Sequence, residues 1–185
     1  LGVLQVLALD IGTDTLTATA LGAEPPAPHV MESPPTSGRL LDRTVAVRAF
    51  AVLGPTEVVF EMGSFMVGLL AAGWRPGDPF PTGAELAAAS GAAFMAVVIA
   101  QTANAFACRS IARPAWALGW TANRFLLVAA SVELAFVVAI IAIPAAARML
   151  DHQLPPAVAW IPIMASAPAM LLVDAAWKHR RSARR

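Results

Sequence analysis

The nineteen residues Phe125-Leu-Leu-Val-Ala-Ala-Ser-Val-Glu-Leu-Ala-Phe-Val-Val-Ala-Ile-Ile-Ala-Ile143 carry a single charge, Glu133. An apolar run of about 20 residues is what a helix needs to cross the hydrocarbon core of a bilayer. Outward from this stretch, four more apolar segments approach the same length, near 3–21, 49–72, 86–107 and 157–176. The first is interrupted by Asp10 and Asp14. Between the segments lie Glu24-Pro25-Pro26, Ser33-Pro34-Pro35, Arg75-Pro76-Gly77-Asp78-Pro79 and Leu154-Pro155-Pro156, which end helices and set turns. No repeat of fixed period and no sustained strand-like alternation accompanies them. The reading is an all-α integral membrane protein built as a five-transmembrane-helix bundle, with a loop over 22–48 and a tail over 177–185.

Composition agrees. Charged residues make up 14% of the chain, against about 25% in a soluble domain, so the apolar surface is expected to be buried in lipid, and the bilayer is an expected partner. Thirteen Lys+Arg against twelve Asp+Glu leave a charge of +1, which speaks against nucleic acid as a partner. One cysteine, Cys108, excludes an internal disulfide framework and a Cys-rich zinc site. His29, His152 and His179 fall in separate connectors and do not resemble a metal cluster. The chain runs from Leu1 straight into a periodic apolar segment, as a piece of a longer protein would.

Basic residues set the orientation. Arg39, Arg43 and Arg48, then Arg109, Arg113 and Arg124, then Lys178, Arg180, Arg181, Arg184 and Arg185 belong to one side; only Arg75 and Arg148 belong to the other. Positive residues stay cytoplasmic, so the C-terminus is expected inside and the Arg75 connector outside. Trp74, Trp116, Trp120, Trp160 and Trp177 fall near span ends, where indoles favour the headgroup level.

Ionisable residues inside such spans are costly and persist only with a partner, an ion or an inward-facing position. Asp10, Thr13 and Asp14 stand at i, i+3 and i+4, with Thr17 a turn further on, a spacing that stacks them on one face of an α-helix; Asp10, Asp14 and, from the third segment, Gln101 are expected to face the bundle interior. Two carboxylates and a hydroxyl are hard oxygen ligands suited to Na⁺, K⁺, Ca²⁺ or Mg²⁺, and without a cation two close carboxylates favour a proton. The alternative is a polar clamp between helices. Gln101 and Asn104, at i and i+3, offer amide oxygens to the same shell or to interhelical hydrogen bonds. Glu133, alone in its span, is a candidate ion or proton site. Glu57 and Glu61, beside Pro55, read first as bundle-lining residues or as neighbours of Arg48. Cys108, beside Arg109, reads as a packing residue, and the basic tail as a topology anchor with some attraction to anionic lipid.

The run Leu4-Gln-Val-Leu-Ala-Leu-Asp-Ile-Gly-Thr-Asp-Thr-Leu16, continued through Glu24-Pro25-Pro26, Val30-Met31, Pro34-Pro35 and Leu40-Leu41-Asp42-Arg43, resembles the sixth membrane helix and following cytoplasmic loop of the P-type cation-transporting ATPases. Asn123-Arg124, Glu133 and Asp174 before a basic tail extend the likeness along the chain. The resemblance implies the sixth to tenth helices of a ten-helix pump, in the plasma membrane with the C-terminus cytoplasmic. It implies that Asp10, Thr13 and Asp14 coordinate the transported cation. Asp at 10 and Gln101 resemble the sodium/potassium-pump-like branch, with Asn104 and Glu133 near an additional ion site. Thr17 stands where the family usually has Pro, and His29 and Glu32 replace residues more often acidic and basic. No Asp-Lys-Thr-Gly-Thr and no Thr-Gly-Glu occur in the 185 residues. The resemblance therefore implies a partner in the N-terminal part of the same pump, Mg and ATP only in the intact pump, and no ATP hydrolysis or resident cofactor here. Two other readings stay open: a piece of an ATP-independent cation carrier or channel, and a truncated, non-transporting remnant.

Overall fold

In a computed structural model the residues described are 2–26, 42–150 and 153–183. Among them there is no strand, and five long helices form a bundle. His29, Glu32, Arg39, His152, Arg184 and Arg185, with the Val30-Met31, Pro34-Pro35 and Leu40-Leu41 motifs, lie outside the described residues.

Four helices are long and apolar enough to cross a membrane: Arg43–Ala71, Ala84–Cys108, Arg124–Ala142 and Ala157–Ser182. The remaining helix, residues 3–22, is continuous but is not among the four; its apolar run is broken by Asp10 and Asp14. Two boundaries differ from the sequence reading. The second helix begins at Arg43, inside the expected loop, because Asp42 caps it by accepting from the Val45 N–H at 2.7 Å. The last helix runs on to Ser182, through most of the expected tail. Lys178 pairs with Asp174 one turn back, and basic side chains suit a helix C-terminus. A short helix, Pro144–Met149, occupies the connector after the fourth.

The third helix is the axis of the bundle. Its small residues let neighbours approach closely: Ala89, Ala92, Ala93, Ala96 and Ala100 are buried, and a Cβ on Gly68 of the second helix would stand 2.9 Å from the Ala89 Cα. A Cβ on Gly91 would meet the Gln153 carbonyl oxygen at 2.2 Å, where the Gln153 N–H donates to Ala87 O. Leu9, Phe94, Val98, Val137 and Ile163 close the core between four of the long helices. Outward, Val58, Val59, Val128, Val138, Ile161 and Leu172 remain exposed, as a lipid-facing surface requires.

Two ion networks gather helix ends on one side of the bundle. Arg48 donates to Asp174 (Nε to Oδ1 2.8 Å) and to Ala107 O at 3.1 Å; Lys178 Nζ lies 2.5 Å from Asp174 Oδ2 and donates to Ala107 O at 2.8 Å. Beside it, Arg109 Nε donates to both Glu24 oxygens at 3.0 and 2.9 Å and its Nη1 to Gly119 O at 2.8 Å; Gly119 takes a φ of 73° that suits glycine. Asn123 donates to Glu24 Oε2 at 2.8 Å and to Ala20 O at 2.9 Å while capping the fourth helix at Leu126 N. These contacts join the ends of the first, third and last helices to the starts of the second and fourth. Arg48, Arg109 and Lys178, one from each basic group counted from sequence, thus share one end of the bundle.

Candidate cation site

The first helix changes winding where its acids sit. Val3–Leu9 is α-helical, Asp10–Asp14 is a π-helical turn, and Thr15–Gly22 is α-helical again. A π turn widens the helix and is frequent at functional sites. Threonines hold it: Thr13 Oγ1 donates to Leu9 O, Thr15 Oγ1 to Asp10 O at 3.2 Å, and Thr17 Oγ1 reaches Thr13 O and Asp14 O at 3.1 and 3.2 Å. The distortion occurs with Thr17 in place of Pro, and the helix continues through it. Gly12 permits the approach of the fourth helix, since a Cβ there would fall 2.2 Å from Phe136 Cε1.

The wider turn divides the three residues that α-helical spacing would stack. Thr13 is 1% exposed, against the bundle. Asp10 and Asp14 are exposed, on a face that the described helices leave uncovered. Contact survives, because the Thr13 hydroxyl lies 3.3 Å from Asp14 Oδ1.

The other candidates divide. Gln101 neighbours Glu57, and its own buried Oε1 has no partner. Glu133 is 1% exposed; Thr102 Oγ1 lies 3.1 Å from its Oε1, and its Oε2 is unclaimed. Thr102 has one proton to give, and Val98 O at 2.8 Å competes for it. Asn104 turns elsewhere, its oxygen accepting from Cys108 Sγ at 3.5 Å. Arg48 pairs with Asp174 rather than with Glu57 or Glu61. Sequence reading passed over Thr102, whose signal was a hydroxyl beside Gln101 in an apolar helix. Among the described residues no three His, Cys, Asp or Glu side chains stand close enough to hold a metal ion. The arrangement offers separate hard oxygens that further ligands would have to complete.

In the connector after the first helix, Glu24 shows a shift that bears on pH. Burial would raise its pKa, but hydrogen bonds from Arg109 and Asn123, with the Arg109 charge, outweigh that and hold it below the ordinary glutamate range.

Residues 1–180 match the family described as cation transporting ATPase, C-terminus. Curated relatives include the probable cation-transporting ATPase F of Mycobacterium bovis (strain ATCC BAA-935 / AF2122/97) and of Mycobacterium tuberculosis (strains CDC 1551 / Oshkosh and ATCC 25618 / H37Rv). Each is 28% identical over 178 residues, covering 92% of this chain and 18% of the relative. The chain therefore spans about a fifth of the length of these relatives. With four helices able to cross a bilayer, this match makes it part of a multi-pass membrane protein.

Proposed function

The chain belongs to the family of cation-transporting ATPase C-terminal domains, and from that premise we propose that it is the membrane part of an ATP-driven cation pump and supplies part of its intramembrane cation site. The observation that carries this reading is the π turn with Asp10 and Asp14 on the uncovered side of the first helix. Two carboxylates there have a use if further helices of the same pump cover that face and complete an ion's shell. Asp10, Asp14 and Thr13 form the first part of the site, Gln101 an amide oxygen behind it, and Glu133 a separate acid. The transported cation is the substrate; Mg and ATP act in the pump's other domains.

On this proposal the first helix crosses the plasma membrane with the other four, and the end bearing the two ion networks is cytoplasmic. A reporter fused at the C-terminus should then read inside and one at Gly77 outside; the opposite pattern overturns the orientation. For transport, vesicles containing the full-length protein should accumulate a cation only with ATP present. Cation flux that ignores ATP would support a carrier instead. The same assay, run with Na⁺, K⁺ and Ca²⁺, tests the sodium/potassium-like pattern of Asp10 with Gln101.

A further inference from the structure

Between the start of the second helix and the end of the last lies a cavity of about 500 Å³ lined by Arg43, Thr44, Val47, Trp177, Arg180 and Arg181. Both helices contribute residues at helical spacing, so one face of each is turned to the same space. The ion pairs of the described residues use Arg48, Arg109 and Lys178; Arg43, Arg180 and Arg181 have none there. The acids near them are engaged elsewhere, Asp42 in capping Val45 and Asp174 between Arg48 and Lys178. Three guanidinium groups around one cavity, without a counter-charge among the described residues, repel one another and attract an anion.

We propose that this cavity binds the phosphate-bearing headgroup of an anionic phospholipid. Guanidinium forks match phosphate oxygens in pairs, and the Thr44 hydroxyl adds a neutral donor. Trp177 sits where the apolar part of the last helix gives way to His179, Arg180 and Arg181, the depth at which indoles and lipid phosphates meet. Val47 and the indole add apolar wall on the bilayer side, and the volume suits a headgroup. A soluble phosphate shares the chemistry, but the depth favours the bilayer as its source. The site is separate from the pump's ion path, so either proposal can fail alone.

The test uses the full-length protein in phosphatidylcholine nanodiscs holding a trace of nitroxide-labelled phosphatidylglycerol or phosphatidylcholine. The motionally restricted signal in electron paramagnetic resonance reads the preference for the anionic lipid. Arg43→Gln with Arg181→Gln should lower that preference by about fivefold for each arginine removed, whereas Arg43→Lys with Arg181→Lys keeps most of it. Arg113→Gln with Arg124→Gln, an equal charge change outside the cavity, should leave it near wild type. Retained preference in the cavity Gln pair, or equal loss in both Gln pairs, overturns the site. Displacement of the labelled lipid by millimolar inorganic phosphate overturns the lipid source.

Discussion

The helix-end networks and the mid-bundle acids contain the same side-chain types in opposite circumstances. At the helix ends, Asp174 is held by Arg48 and Lys178, Glu24 by Arg109 and Asn123, and even the Ala107 carbonyl has two donors. In the middle, Glu133 keeps an unclaimed oxygen, Gln101 another, and Asp10 and Asp14 stand exposed among the described helices. Buried charges that are paired fix helix register at large cost if one partner is lost. Charges left without cations of their own are not explained by the fold alone, and on the proposed reading a ligand or the rest of a pump uses them.

The largest expected effect is at the ends. Asp174→Ala strands the buried Lys178 and the half-buried Arg48 and should cost about 3–5 kcal/mol, seen as loss of the monodisperse peak in fluorescence-detected size exclusion after mild heating. Wild-type behaviour of this variant would remove the distinction between the two regions. Glu24→Gln is smaller, about 1.5 kcal/mol, since Glu24 is partly exposed. Its pH dependence has a definite sign. A carboxylate with a lowered folded-state pKa contributes stability above its unfolded value, and that contribution disappears as pH falls through the folded value. The melting difference between wild type and Glu24→Gln should stay flat above about pH 5 and close below the ordinary glutamate range. A difference that widens on acidification contradicts the ion pair.

In the middle, Thr102→Val removes a hydroxyl near Glu133 and should cost less than about 1 kcal/mol while changing cation dependence of the full-length protein. A melting loss as large as that of Asp174→Ala would make Glu133 and Thr102 a structural clamp. Smaller still in stability should be Asp10→Asn, which loses charge on an uncovered face; insertion should match wild type by protease protection.

Much of the fold was legible because lipid imposes a simple rule: the helix Arg124–Ala142 follows as soon as the apolar length of that stretch is counted, and Arg48, Arg109 and Lys178, which sequence assigned to one side, meet at one end. The site was legible in part. Asp10, Thr13 and Asp14 announce hard-oxygen chemistry, but α-helical spacing could not foresee the π turn that buries Thr13 and exposes both acids. Glu133 with Thr102, Asn104 with Cys108, and Arg48 with Asp174 depend on rotamers and helix packing. The last pair lies 126 residues apart, and no local pattern encodes that distance.

The most direct measurement is cation-dependent phosphorylation of the full-length protein with Asp14→Asn. The amide keeps the shape of the side chain and removes a charged ligand, and the helix should insert at least as readily. The account predicts wild-type amounts in the membrane, a weakened response of ATP-driven phosphorylation to the cation, and intact phosphorylation from inorganic phosphate. An unchanged cation response at matched expression would contradict it, and Asp14 would then have no part in a cation site.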